Sequence, residues 1–351
     1  MLYRNAHELV LDSVFLDLDG FVPQIDLKLK IEGLNPAGSI KIKAAVGLIE
    51  DAERKGLLEP GGRVIESSSG NLGIALSSVC AARGYTFICV ADPNTSRQSI
   101  GLMEAFGADV VVVTERDANG GYLQTRIDYI HQRLAEDDSL VWPNQYANPA
   151  NPRAHYERTA AAIGRQGWDI DHLFIGAGTT GTLMGCTDYF REHSPRTRIV
   201  AVDSLGSVTF GGPAGQRHIP GLGTSRRPEI FRPGRVDEVV LIPEFEAVRM
   251  CRRLAAERGI ALGGSTGSVL AAVERSSDHI EPGSLVVAIA PDIGDRYLDT
   301  IYDDVWVYER FGRLDSDPRT PRTDPTSTDP TSTDRSEDER ERTTTALAVK
   351  G

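Results

Sequence analysis

The sequence predicts an α/β fold: two three-layer α/β/α domains on mostly parallel sheets, with a cleft between them. Three observations predict it. Short apolar runs alternate with helix-like runs, the alternation occurs as two separate series, and small-residue loops follow the apolar runs where helices would begin. Strands alternating with helices form parallel sheets covered on both faces. Such folds bind ligands beyond the carboxyl ends of their strands.

The elements follow in order. IDLKLKIEG alternates apolar and polar residues, as a strand does, and KIKAAVGLIEDAERKGLL is amphipathic at helical spacing. RVIESSS, YTFICVAD and DVVVVTE are the next strands, separated by helices over 72–83 and 96–106. The second series runs HLFIGAG, a helix over 182–192, RIVAVDS, a helix near 245–258, and SLVVAIAPD. From Arg313 the chain changes character: aromatics stop, and TDPTS repeats in tandem at 323–327 and 328–332. Residues 313–351 have too little apolar surface to offset the entropy of ordering. They are expected to be a disordered tail with no part in catalysis.

Composition excludes several classes. The chain has 351 residues, 40% of them hydrophobic, enough for a sizeable core. Fifty acidic residues against 38 basic ones give a formal net charge of -12, which argues against a nucleic-acid binder. The four cysteines are scattered without a CxxC or metal-ligand spacing, so neither a metal site nor a disulfide framework is expected. No run reaches membrane-spanning length, and MLYRNAHELVLDSVF does not have the form of a signal peptide. The expectation is a cytoplasmic protein with no membrane and no nucleic-acid partner.

Three loops carry the chemistry: SSSGNLG at 67–73, GAGTTGT at 176–182 and PDIGDRY at 291–297. Backbone N–H groups at such helix starts form anion sites. Gly176, Gly178 and Gly181 spell GxGxxG, and Asp203 ends the next strand where a dinucleotide fold would put its ribose-binding acid. A nicotinamide oxidoreductase is therefore one reading. Lys41, after the turn in PAGSIKIK, favours another. A lysine at a positive helix end and away from bulk water has its charged form disfavoured. Such an amine suits Schiff-base formation with pyridoxal 5'-phosphate. Asn71 could then bond the ring oxygen. An inactive binding protein on the same fold is a third reading.

PAGSIKIK, SSSGNLG, QYANPANP at 145–152, GAGTTGT, GGSTG at 263–267 and PDIGDRYL at 291–298 stand in this order. Together they resemble the cysteine synthase group of pyridoxal-phosphate enzymes, fold type II, over about residues 27–310. The resemblance implies a tryptophan synthase β-like fold. The smaller domain would span 35–147 and carry Lys41 and the Asn71 loop. The larger, 1–34 plus 148–312, would carry the phosphate loop. It implies Lys41 as the Schiff-base lysine and Asn71 on the ring oxygen, with Gly178, Thr179, Thr180, Gly181 and Thr182 around the phosphate. It places Ser68, Ser69, Asn71 and Gln145, with Tyr146 beside them, at the substrate, and implies a homodimer.

Departures from ordinary cysteine synthases narrow the expectation. The chain reads GSIKIKAA rather than S-V-K-D-R, has Tyr146 where Phe is usual, and reads GTTGT rather than GTGGT. These features resemble the branch that joins O-phospho-L-serine to L-glutamate through an aminoacrylate. Its product, N-(2-amino-2-carboxyethyl)-L-glutamate, leads to 2,3-diaminopropionate for siderophores or peptide antibiotics. A functional partner would be an NAD-dependent dehydrogenase acting on that product. Cysteine synthesis from O-acetylserine or O-phosphoserine is the alternative. Ile293 cannot hydrogen-bond a pyridine nitrogen, so either Asp292 or Ser265 takes that role or the register of this loop is shifted by one residue. Arg217, His218 and Arg226 flank the expected cleft. Lys43 reads as structural, exposed or paired, and His155 as a hydrogen-bonded structural histidine.

Overall fold

The computed structural model describes residues 2–118 and 120–314. The predicted tail therefore lies almost wholly outside the described residues. The strands are β1 (Phe15–Asp17), β2 (Asp26–Ile31), β3 (Arg63–Ser67), β4 (Thr86–Ala91), β5 (Asp109–Val112), β6 (Leu140–Val141), β7 (His172–Gly176), β8 (Arg198–Ser204), β9 (Glu238–Ile242) and β10 (Leu285–Ala290). They form two sheets, ordered β5-β4-β3-β6 and β1-β2-β10-β7-β8-β9. Every pairing is parallel except the edge pair β1–β2, where Phe15 faces Lys30.

Alternate residues of each strand enter opposite cores, which makes each sheet the middle of three layers. In the large sheet, Val286, Ala288 and Phe174 join one core, and Val287, Ile289 and Leu173 the other. In the small sheet, Val64 and Phe87 pack on one side, Ile65 and Ile88 on the other. β10 lies between β2 and β7 and is buried along almost its whole length. This is why LVVAIA is continuously apolar rather than alternating.

The helices are α1 (Lys41–Arg54), α2 (Asn71–Arg83), α3 (Arg97–Ala105), α4 (Leu123–Glu136), α5 (Ala150–Ala154), α6 (Ala161–Gly164), α7 (Gly181–His193), α8 (Glu244–Arg258), α9 (Gly264–Ser276) and α10 (Asp304–Phe311). A π-helical turn, His155–Ala160, joins α5 to α6 in one rod. Local chemistry sets several ends. Ser96 caps α3 by accepting from the Ser99 N–H at 3.1 Å, and Gly84 ends α2 in the left-handed region at φ +75°.

Alternation in β2 does not mean a solvent face. Lys30 is fully buried and pairs with Glu32 at 3.2 Å. Lys43 is buried too, paired with Glu32 at 2.6 Å and Asp12 at 2.9 Å. Arg158 completes the cluster on Asp12 at 2.9 Å. No helix among the described residues is long and apolar enough to cross a membrane.

Candidate active site

The carboxyl ends of β3, β7 and β10 face one region, and contacts between their loops tie it together. Lys41 is the first residue of α1. The loop after β10 clamps that helix start: the Ile40 N–H donates to the Pro291 carbonyl at 2.7 Å, and Ser39 bridges Asp292. Gly38 sits at φ +63°, and a Cβ there would lie 2.5 Å from the Arg296 guanidinium. Only glycine meets both demands. Lys41 extends to the Thr179 hydroxyl, 3.5 Å away, and no carboxylate among the described residues pairs with it. Burial draws its pKa down to about 8.

Gly178, Thr179, Thr180, Gly181 and Thr182 wrap the N-terminus of α7. The first N–H groups of a 13-residue helix have no partner within it. Thr180 holds φ +67°, a left-handed conformation unusual for threonine, and its buried hydroxyl has no hydrogen-bond partner. A Cβ on Gly181 would meet Asn151 at 2.0 Å, and one on Gly178 the Gly221 carbonyl at 2.8 Å. The Asn151 amide donates to Thr179 at 3.2 Å and to the Gln145 carbonyl at 2.8 Å, which fixes the loop against QYANPANP.

On the β3 side, Ser68 accepts from the Gly73 N–H at 2.8 Å, and Ser69 is half-buried beside it. Gln145 is buried, and its amide donates to the Ser67 carbonyl at 2.9 Å. The buried Glu66 carboxylate accepts from the Gln145 N–H at 3.0 Å and from Trp142, and burial raises its pKa to about 7. Asn71, the first residue of α2, donates to Asp292 at 2.8 Å. Tyr297 also donates to Asp292, and Ser265 lies 3.4 Å from it. Burial raises the Asp292 pKa, while Tyr297 and Asn71 hold its charge. The side chain of Ile293 packs over Gly33 and Gly38.

The sequence reading missed three residues. Arg296 donates to the Asn71 side-chain carbonyl and to the Ala37 carbonyl. Asn151 was hidden in what looked like a turn. Arg126, on α4, is buried beside Tyr146, and two of its guanidinium nitrogens, Nε and Nη1, meet no hydrogen-bond partner. Its nearest carboxylate oxygen, on Asp92, is 3.5 Å away. Of the three flanking cations, Arg226 is part-exposed and pairs with Glu229. With Tyr146 it lines a small hollow, which adjoins a cavity of about 320 Å³ lined by Asp117, Gln124, Ser225, Arg226 and Arg227. Arg217 instead staples the Gly206 and Thr224 carbonyls, and His218 stacks edge-on against Phe311.

Asp203 corrects the dinucleotide reading. It is fully buried, accepts from the Ser204 N–H at 2.8 Å, and is not exposed to a ligand surface. The site fits pyridoxal 5'-phosphate instead. It offers an unpartnered helix start with an orphan Thr180 hydroxyl for the phosphate, an amine of lowered pKa, and a buried carboxylate opposite.

Comparison with known proteins agrees. Residues 14–292 match the family model described as pyridoxal-phosphate dependent enzyme. The chain is 44% identical over 283 residues, 79% of this chain and 83% of that protein, to N-(2-amino-2-carboxyethyl)-L-glutamate synthase of Cupriavidus metallidurans. A solved O-ureido-L-serine synthase superposes with TM-score 0.80 at 34% identity, over 87% of this chain and 96% of that one. An O-acetylserine-dependent cystathionine β-synthase from Helicobacter pylori superposes with TM-score 0.81 at 28% identity, over 86% and 100%. The chain belongs to the pyridoxal-phosphate-dependent enzymes, in fold type II.

Proposed function

We propose that this enzyme replaces the phosphate of O-phospho-L-serine with the amine of L-glutamate, giving N-(2-amino-2-carboxyethyl)-L-glutamate. The observation that carries the reading is Arg126. Its buried guanidinium pairs through Nε with Asp92 at 3.5 Å, but Nη1 has no hydrogen-bond partner, and an added anion would satisfy it. Arg126 stands beside Tyr146, the neighbour of Gln145, and a phosphate ester bound there would bring that anion where an acetate ester would not. The 44% identical relative of that name points the same way.

When bound, pyridoxal phosphate supplies the electron sink that makes the serine Cα proton removable. The rest falls to this chain. Gly178, Thr179, Thr180, Gly181 and Thr182 hold the cofactor phosphate. Asn71 would bond the ring oxygen, and Asp292, steadied by Ser265 and Tyr297, would bond the ring nitrogen. Ser68, Ser69, Asn71 and Gln145 hold the substrate carboxylate. Lys41 removes the Cα proton and returns it after the exchange. The Cβ–O bond to phosphate breaks, a Cβ–N bond to glutamate forms, and the amine's proton leaves. Arg126 and Tyr146 take the leaving phosphate. Arg226, at the 320 Å³ cavity, takes the glutamate side-chain carboxylate.

The split into residues 35–147, bearing Lys41, and 1–34 plus 148–312 is part of the same proposal, as are a cytoplasmic setting and a homodimer. The product's secondary amine would pass to an NAD-dependent dehydrogenase that splits it oxidatively. The test offers O-phosphoserine or O-acetylserine, each with glutamate or sulfide, and follows product mass. A glutamate adduct from O-phosphoserine alone is expected. Efficient cysteine formation from O-acetylserine with no glutamate adduct would make the enzyme a cysteine synthase.

A further inference from the structure

Four side chains form an unbroken line from the buried ion cluster to the α7 loop. Lys43 Nζ lies 3.3 Å from Thr159 Oγ1, which lies 3.1 Å from His155 Nδ1. His155 Nε2 lies 3.3 Å from Thr182 Oγ1. His155 and Thr159 are fully buried and Lys43 nearly so. The π-helical turn His155–Ala160 carries both middle members of the line, and such turns are common at functional sites.

The direction of this line follows from its first member. An ammonium has three hydrogens and accepts none. Those of Lys43 meet Glu32, Asp12 and Thr159. Thr159 therefore accepts from Lys43, and its own hydrogen goes to His155 Nδ1. A neutral imidazole carries one hydrogen, which is then on Nε2 and is given to Thr182. Thr182 has thereby accepted, so its hydrogen is left for an acceptor at the helix start. Burial, then the cations Lys41, Lys43 and Arg158, push the His155 pKa well below the ordinary histidine range, which keeps it neutral. Lys30, Glu32 and Asp12 are the other charges of the cluster.

We infer that Lys43 sets the polarity of a hydrogen-bond chain through Thr159 and His155 that makes the Thr182 hydroxyl a fixed donor to the cofactor phosphate. His155 is a positioning residue in the Nε2–H form. The inference rests on the assignment of this loop to that phosphate. A reversed chain would turn a Thr182 lone pair toward a dianion, so the polarity decides whether the hydroxyl attracts or repels it.

The test has two arms. In the full-length protein labelled with ¹⁵N-histidine, the ring resonances of His155, identified by their loss in His155→Gln, should report a neutral Nε2–H tautomer. In the second arm, Thr159→Val should weaken pyridoxal phosphate binding about tenfold while leaving pyridoxal binding unchanged. Thr159→Ser should restore it. An Nδ1–H tautomer overturns the inference, as does equal or absent loss toward the two ligands in Thr159→Val. If that variant does not fold, the tautomer of the unmodified protein decides. An unmodified protein that binds pyridoxal as well as pyridoxal phosphate would sink the loop assignment and the inference with it. A wrong tautomer with the phosphate preference intact sinks the inference alone.

Discussion

At the scale of single residues, Lys41 carries two predictions. Lys41→Ala should lower phosphate release from O-phosphoserine by roughly 10³-fold or more, with an unchanged circular dichroism spectrum, because one side chain leaves a large core intact. Cofactor capture by the cofactor-free protein should also respond to pH. Only the neutral amine attacks an aldehyde, and lowering the pKa from 10.5 to about 8 makes that form abundant from pH 8 upward. The loading rate, followed by visible absorbance, should rise through about pH 8 and level off above it. A rise that continues past pH 10 would mean an ordinary lysine. For Arg126, Arg126→Gln should raise the KM for O-phosphoserine by about 10- to 100-fold, the cost of a lost charge-assisted pair. The KM for glutamate should hardly move, and steady-state kinetics separates the two. Lys41 was legible in the sequence because a glycine turn announces it. Arg126 was not. It stands in the middle of LQTRIDYIHQRLAE, where a charge on an amphipathic helix reads as solvent-facing, and only burial shows otherwise.

At the scale of elements, the N-terminus of α7 exchanges stability for binding. A left-handed threonine costs about 1 kcal/mol or more, and glycine carries no such strain. Thr180→Gly should therefore raise the unfolding midpoint slightly, by an amount worth about 0.5–1 kcal/mol. The same change removes the orphan hydroxyl and should weaken pyridoxal phosphate binding. Calorimetry and a binding titration on one preparation check both signs. α1 shows the opposite balance. Lys43→Met leaves Glu32 buried against Lys30 alone, and breaking such a cluster costs about 3–5 kcal/mol, which a denaturant titration would read. The loops at the strand ends were legible because glycine, serine and asparagine mark them. α9 was not: GGSTGS reads as loop, yet it opens a buried 13-residue helix that begins under Asp292. Lys30 looks polar and outward in the alternation of β2, but Glu32, shared with Lys43, lets both ammonium groups lie inside.

At the scale of the whole molecule, the proposed homodimer predicts a light-scattering mass near twice the single-chain 38.1 kDa. A mass near 38.1 kDa would refute it. The two sheets also differ in how the chain supplies them. All four strands of the small sheet come from residues 63–141, whereas the large sheet takes β1 and β2 from the first 31 residues and the rest from 172–290. Asp26 pairs with Leu285. During synthesis at about 5–20 residues per second, β2 therefore waits with an open edge while the small sheet is already complete on the ribosome. Unpaired edges recruit foreign strands, and late long-range closure slows folding. The cell thus inherits an interval of exposure, set by the distance in the gene between β2 and β10.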